Sequence, residues 1–107
     1  MKPGYMYMWE YIVAPEKLVE FERVYGPTGD WAHLFAEAAG YLRTELHRDR
    51  REPCRFVTID YWESVEAWNA FRATFAERFE DLDARCASLT TREADLGAFG
   101  PAGSGIA

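Results

Sequence analysis

Between Tyr5 and Val13 the side chains alternate, with Tyr5, Tyr7, Trp9, Tyr11 and Val13 on one side and Met6, Met8, Glu10 and Ile12 on the other. A period of two predicts a strand, and because both sets are largely apolar the strand should be covered on both faces. Pro15 suits the opening of a helix, in which Leu18, Phe21, Val24 and Tyr25 recur at helical spacing up to Gly26. The loop GPTG ends that helix. Asp30 can cap a second, short helix whose Trp31, Leu34, Phe35 and Ala38 form another apolar stripe before Gly40 stops it.

From Tyr41 to Asp49 the pattern sets Leu42, Thr44 and Leu46 against Tyr41, Arg43, Glu45 and His47, a second strand with one polar face. After the charged turn RDRREP comes RFVTIDYWES, rich in the β-branched and aromatic residues that suit a half-buried pleated surface. Asp60 does not fit that set. Ser64 stands at an N-cap position with Glu66 in the first turn, so strand should lead directly into helix. Val65, Trp68, Arg72, Phe75, Phe79, Leu82 and Cys86 then step by three and four, predicting one long helix with a single charged member on its buried stripe. A last strand over about Ser88 to Leu96 alternates weakly, and GAFGPAGSGIA reads as a flexible tail.

The order β, α, short α, β, β, α, β matches a split βαβ, ferredoxin-like α+β domain: an antiparallel four-stranded sheet with its helices on one face. We take residues 1–99 as the domain and 100–107 as the tail. In this topology the first and third strands are central, so Asp60 is not at a sheet edge. The helix-free face carries apolar side chains from the first strand, which predicts a homodimer packed sheet to sheet.

Length and composition narrow the picture. A chain of 107 residues makes one domain with a modest core, yet 16% of it is aromatic, more than so small a monomer easily hides. Twelve Lys and Arg against eighteen Asp and Glu give a net charge of −6, opposite to the footprint of a nucleic-acid binder. No run approaches the roughly 18 apolar residues of a membrane span, and Glu10 interrupts the apolar N-terminus; a cytoplasmic location is the expectation. Cys54 and Cys86 have no CxxC spacing and read as reduced thiols. His33 and His47 are far apart, with no HxH or HExxH pattern, so no metal is expected.

The passage FVTIDYWESVEAWNAF, the helix GDWAHLFAEAAGYL and the closing LTTREADLGAF together resemble the antibiotic biosynthesis monooxygenase family of dimeric α+β barrels, over roughly residues 5 to 99. Trp62 followed by Glu63 and Ser64 is the most specific part of the likeness. Members share a fold more than an activity: some oxidise phenolic, polyketide-like molecules with oxygen and neither metal nor flavin, and some degrade haem. The resemblance implies a pocket between helices and sheet, with Trp62 among its lining residues. It also implies, for haem-degrading relatives, an asparagine on the first strand and a histidine on the long helix. Neither is present here, so no cofactor is expected.

Asp60 is the sharpest candidate. An unpaired carboxylate on a central strand costs several kcal/mol or shifts its pKa upward, which would suit a general base acting on a phenol; alternatively it pairs with Arg43 or Arg72 and is structural. Arg72 could stabilise a phenolate or enolate, or snorkel to water. His47 is a candidate proton carrier or a solvated strand residue, and His33 points either into or out of the pocket. Tyr7, Trp9, Trp31, Phe35, Trp62 and Trp68 could line a slot for a flat ligand or fill the core. The sequence thus suggests a cofactor-independent monooxygenase for an electron-rich aromatic or quinol-type molecule. Its alternatives are a non-catalytic small-molecule-binding or dimerisation module, and an isomerase or cyclase acting on a similar aromatic substrate.

Overall fold

In the computed structural model, which describes residues 2–103, strands β1 (Tyr5–Val13), β2 (Tyr41–Arg48), β3 (Arg55–Trp62) and β4 (Thr90–Phe99) form one antiparallel sheet in the order β2-β3-β1-β4. The central positions of β1 and β3 are those the split βαβ order requires. Helices α1 (Leu18–Tyr25), α2 (Asp30–Phe35), α3 (Val65–Thr74) and α4 (Ala76–Cys86) supply the other layer of the α+β fold. A 3-10 turn at Pro15–Lys17 leads into α1, and a second at Ala87–Leu89 leads from α4 into β4.

Register decides what each face carries. On the helix side of β1 and β3, Tyr5 lies opposite Trp62, Tyr7 opposite Asp60, Trp9 opposite Thr58 and Tyr11 opposite Phe56. On the open side Met6, Met8 and Glu10 lie opposite Tyr61, Ile59 and Val57. Glu10 there accepts from Arg55 at 2.5 Å, and Arg55 also reaches Asp49 at 2.8 Å. Across β2 a shift between Tyr41 and Arg43 keeps Tyr41 level with Trp62 while Thr44 meets Asp60. One irregularity therefore places Tyr41 and Thr44 on the same face despite their odd spacing.

The single long helix predicted over Val65 to Cys86 is two helices. They meet at Phe75, whose backbone (φ −109°, ψ 21°) leaves the helical region although its N–H still bonds to Phe71 at 2.8 Å. The inward stripe departs from the one the spacing predicts on α3, ahead of the break. Phe71, 1% exposed, takes the inward place, while its neighbour Arg72 is exposed and Val65 is 40% exposed. Ser64 caps α3 as expected, its hydroxyl accepting from the Ala67 N–H at 3.1 Å. Strand β4 runs past Leu96 to Phe99, beyond the predicted end. Gly97 (φ 112°) sits at a bulge, its N–H bonded to the Asp95 carboxylate at 2.7 Å, and the strand resumes after it. Of the predicted tail, residues 104–107 lie outside the described residues.

Aromatic rings make most of the core. Phe21 stacks on Tyr25 at 4.3 Å and packs against Tyr11 and Phe56 at one end. At the other, Trp62 meets Phe35, Tyr41, Trp68 and Phe71 with centroids 5.3 to 5.7 Å apart. Trp62 has no exposed surface, and its indole N–H has no hydrogen-bond partner among the described residues, so it contributes bulk alone. Trp62→Ala should therefore lower unfolding stability by about 3–5 kcal/mol, with Trp62→Phe recovering most of the loss, as read by urea denaturation.

Candidate active site

The helix-facing row of β3 reads Phe56, Thr58, Asp60, Trp62: two large rings at the ends and two short polar side chains between them. Thr44 on β2 extends the short row. Where those side chains stop, the helices cannot follow them down to the sheet, and a cavity of about 420 Å³ remains. Its aromatic wall comes from Tyr7 and Trp9 of β1, Trp31 and Phe35 of α2, Trp68 of α3 and Phe79 of α4. Tyr5, Tyr11 and Tyr25 also border it, and β4 contributes Glu93, Asp95, Gly97 and Ala98.

Asp60 lies on the cavity wall and is 6% exposed. Among the described residues no cation pairs with it. Its side-chain hydrogen bond is to a hydroxyl: Thr44 Oγ1 donates to Oδ1 at 2.5 Å, and the phenol-bearing Tyr7 stands directly across the β1–β3 pair. Burial raises the Asp60 pKa to about 6, and the Thr44 hydroxyl, followed by the Tyr7 phenol, pulls against that rise. The expected arginine pairing does not occur. Arg43 lies on the open face of the sheet with its guanidinium 3.9 Å from the Tyr61 ring centroid. Arg72 borders the cavity with its guanidinium 4.1 Å from the Phe79 centroid and 5.6 Å from that of Trp68. Stacking of this kind holds a planar cation in place while leaving its N–H groups free to meet a ligand.

Asp83, Glu93 and Asp95 are exposed where they border the same cavity. The phenols around it are pushed up accordingly. Tyr7 is held well above the ordinary phenol value by burial and then by Asp60; Tyr11 is raised by burial and the charges of Asp60, Glu93 and Asp83, against a bond to Thr58; and Tyr5 is raised by burial and Asp95.

Seven of the residues singled out from sequence, Asp60, Arg72, Tyr7, Trp9, Trp31, Phe35 and Trp68, border this one cavity. Three do not. Trp62 is in the core behind Trp68 and does not line the cavity. His47 is exposed on the opposite face of the sheet, 3.1 Å from Glu45, because Arg43, Glu45 and His47 face away from Thr44. His33 is exposed on the far side of α2, beside a shallow depression shared with Glu37, Arg78 and Arg85. Sequence reasoning missed Thr44 and the acidic trio. Thr44 was legible only as an inward position of β2, and the acids look like ordinary solvated charges until the fold brings α4 and β4 together. Among the described residues no three His, Cys, Asp or Glu side chains converge as metal ligands, and no helix is long and apolar enough to cross a membrane.

A sheet with aromatic-lined space beneath its helices defines a small α+β protein built around a ligand-sized cavity. The family model described as antibiotic biosynthesis monooxygenase matches residues 5–93, and the chain belongs to that family. Its fold is similar to that of a variant of SnoaB, a cofactor-independent oxygenase from Streptomyces nogalater, at 22% identity and a TM-score of 0.77, covering 99% of this chain and 100% of that one. It is also similar to PA3566 from Pseudomonas aeruginosa (20% identity, TM-score 0.66, 96% and 98% coverage). A conserved protein from Methanosarcina mazei Go1 shares the fold at 12% identity and a TM-score of 0.68, with 92% of each chain covered. No curated protein matches the sequence.

Because the folded-state pKa of Asp60 lies above its ordinary 3.8, the carboxyl favours the folded state when protonated. That contribution is complete below pH 4 and is lost as pH rises through about 6. Asp60→Asn should remove the decline in stability between about pH 4 and 6 and leave the variant more stable at pH 8, by about 3 kcal/mol at most. Urea unfolding across that pH range measures it; an unchanged slope would place the Asp60 pKa elsewhere.

Proposed function

We propose that the protein is a cofactor-independent monooxygenase acting on an electron-rich aromatic or quinol-type small molecule. The observation that carries this reading is a buried carboxylate with no cationic partner among the described residues, bonded to the Thr44 hydroxyl on the wall of an aromatic cavity. With a pKa near 6, Asp60 is mostly ionised at neutral pH yet basic enough to accept a proton, the balance a general base needs. The flat walls of Trp9 and Trp68 suit a ring system, and Arg72 offers the positive charge that would favour an anion forming beside it.

The chemistry balances without a cofactor. Loss of a proton from a phenol or activated CH2 group to Asp60 gives an electron-rich anion that can pass an electron to dioxygen. Oxidation of CH2 to C=O then places one oxygen atom in the product and releases the other as water, the substrate itself supplying the electrons. The likeness to SnoaB supports this reading at the level of fold, which does not by itself dictate a reaction. A non-catalytic binding module is the second reading. It is favoured by the fact that Thr44 already donates to Asp60 without a substrate.

The open sheet face supports a homodimer. Met6, Met8, Ile12, Val57, Ile59 and Tyr61 form a half-buried apolar patch on it, with only Glu10 and Arg55 interleaved on the two central strands. Light scattering at micromolar concentration should give twice the chain mass, and a monomer would reject the arrangement.

Oxygen uptake with product mass analysis, on a panel of anthrones, naphthols and hydroquinones, tests the reaction. We expect uptake with an oxygenated product, lowered about a hundredfold or more in Asp60→Asn and about a hundredfold in Arg72→Ala. Trp68→Ala should weaken substrate binding with a smaller effect on turnover. A mass-neutral product would indicate an isomerase or cyclase. Tight binding with no turnover would indicate the binding module.

A further inference from the structure

The base at the cavity wall has a second connection that the proposed reaction does not use. Asp60 Oδ1 accepts from Thr44 Oγ1 at 2.5 Å, and Thr44 Oγ1 lies 2.8 Å from the phenolic oxygen of Tyr41. A threonine hydroxyl carries one proton. With that proton on Asp60, Tyr41 is the donor to Thr44, so the resting chain is directed from Tyr41 through Thr44 to the carboxylate. Thr44 is buried, whereas Tyr41 is partly exposed at the start of β2 and does not border the cavity.

The strand order gives this chain its significance. β2 is one edge of the sheet and β4, which contributes Glu93 and Asp95 to the cavity border, is the other. A substrate lying along the aromatic wall separates Asp60 from water on the β4 side at the moment when Asp60 has taken its proton. Tyr7, across the β1–β3 pair from Asp60, borders the same cavity and offers no separate exit. Across the cavity the helices present Trp68, Phe79 and two charged groups, Arg72 of α3 and the exposed Asp83 of α4.

We infer that Thr44 and Tyr41 form a proton route from Asp60 to solvent at the β2 edge, separate from the opening by which the substrate enters. The inference rests on the proposed role of Asp60 as base. Once Asp60 is protonated, the three O–H directions reverse by rotation. The carboxyl proton passes to Thr44 Oγ1 as the Thr44 proton passes to the Tyr41 oxygen and the Tyr41 proton passes to water. One proton enters from the substrate and one leaves to solvent, with no change of oxidation state. Thr44 and Tyr41 act through Asp60 as positioning residues, and neither needs to touch the substrate.

Thr44→Val removes the hydroxyl at nearly constant volume, Thr44→Ser restores it, and Tyr41→Phe removes only the outer link. Carbon-13 NMR of the Asp60 carboxyl reports the chain itself. Its pKa should rise in Thr44→Val, which deletes a donor to the anion, and return to the wild-type value in Thr44→Ser. With an active substrate from the panel, kcat should fall about tenfold in Thr44→Val and Tyr41→Phe with KM little changed, the solvent deuterium isotope effect should increase, and Thr44→Ser should recover both. A raised Asp60 pKa in Thr44→Val without any change in kcat or isotope effect would overturn the route and leave Thr44 a tuning residue. Absence of turnover in the wild type rejects the monooxygenase reading separately. The route is then decided by carboxyl line shapes with the cavity filled by 2-methoxynaphthalene, which has no acidic proton: exchange slowed in Thr44→Val and Tyr41→Phe supports it, and equal rates in all four proteins overturn it.

Discussion

The pairing of β1 with β3 is the constraint on which the site depends. Side chains alternate along a strand, so a slip of one residue in β3 would send Asp60 to the open face and bring Ile59 to the cavity. The aromatic residues at the two ends of the same row prevent that slip. Phe56 and Trp62 are essentially unexposed, and moving either to the open face would forfeit its burial. Burying one large apolar side chain is worth about 1.5–3 kcal/mol, comparable with the desolvation of one carboxyl raised by two pKa units. Two rings therefore offset the unfavourable placement of Asp60, and the Thr44 donor reduces what remains.

The same row explains why there is a cavity at all. Interiors pack densely wherever side chains are long enough to meet, and both aromatic clusters do so, one around Phe21 and one around Trp62. Between them Thr44, Thr58 and Asp60 fall short of the helices. The break at Phe75 belongs to this arrangement. It allows Trp68 and Phe71 of α3 to pack at the Trp62 end while Phe79 of α4 reaches Trp31 at 5.0 Å.

Much of this was legible in sequence because it follows from a period of two. Alternation placed Tyr7 and Trp9 on one face of β1, and an aspartate within RFVTIDYW stood out against its neighbours. The strand order followed from the sequence of elements. Helical phase was harder to read. Phe71 and Arg72 are adjacent, both are compatible with a stripe that steps by three and four, and a break with neither Pro nor Gly leaves no mark in the spacing. Gly97 looked like the end of order and is instead a bulge within β4. Trp62 illustrates a different limit: periodicity assigns a residue to the inner side of an element, but whether it meets a ring or a void depends on the lengths of its neighbours.

The electrostatics add a condition on any chemistry in the cavity. The phenols of Tyr5, Tyr7, Tyr11 and Tyr25 are all raised by burial, and Asp60, Asp83, Glu93 and Asp95 add their charge to one or more of them. A substrate phenol among them meets the same environment, which resists forming a second anion beside a first. Transfer of a proton to Asp60 relieves that conflict, because the carboxylate is neutralised as the phenolate appears. The cavity then gains no net charge in the step, and the new anion is best placed near Arg72, the cation on its border. If that anion is to persist long enough to meet oxygen, the proton must not return to it from Asp60. An outlet on the side of Asp60 away from the substrate is the arrangement that keeps the two apart, which gives the hydroxyls of Thr44 and Tyr41 a physical purpose beyond holding the carboxylate in place.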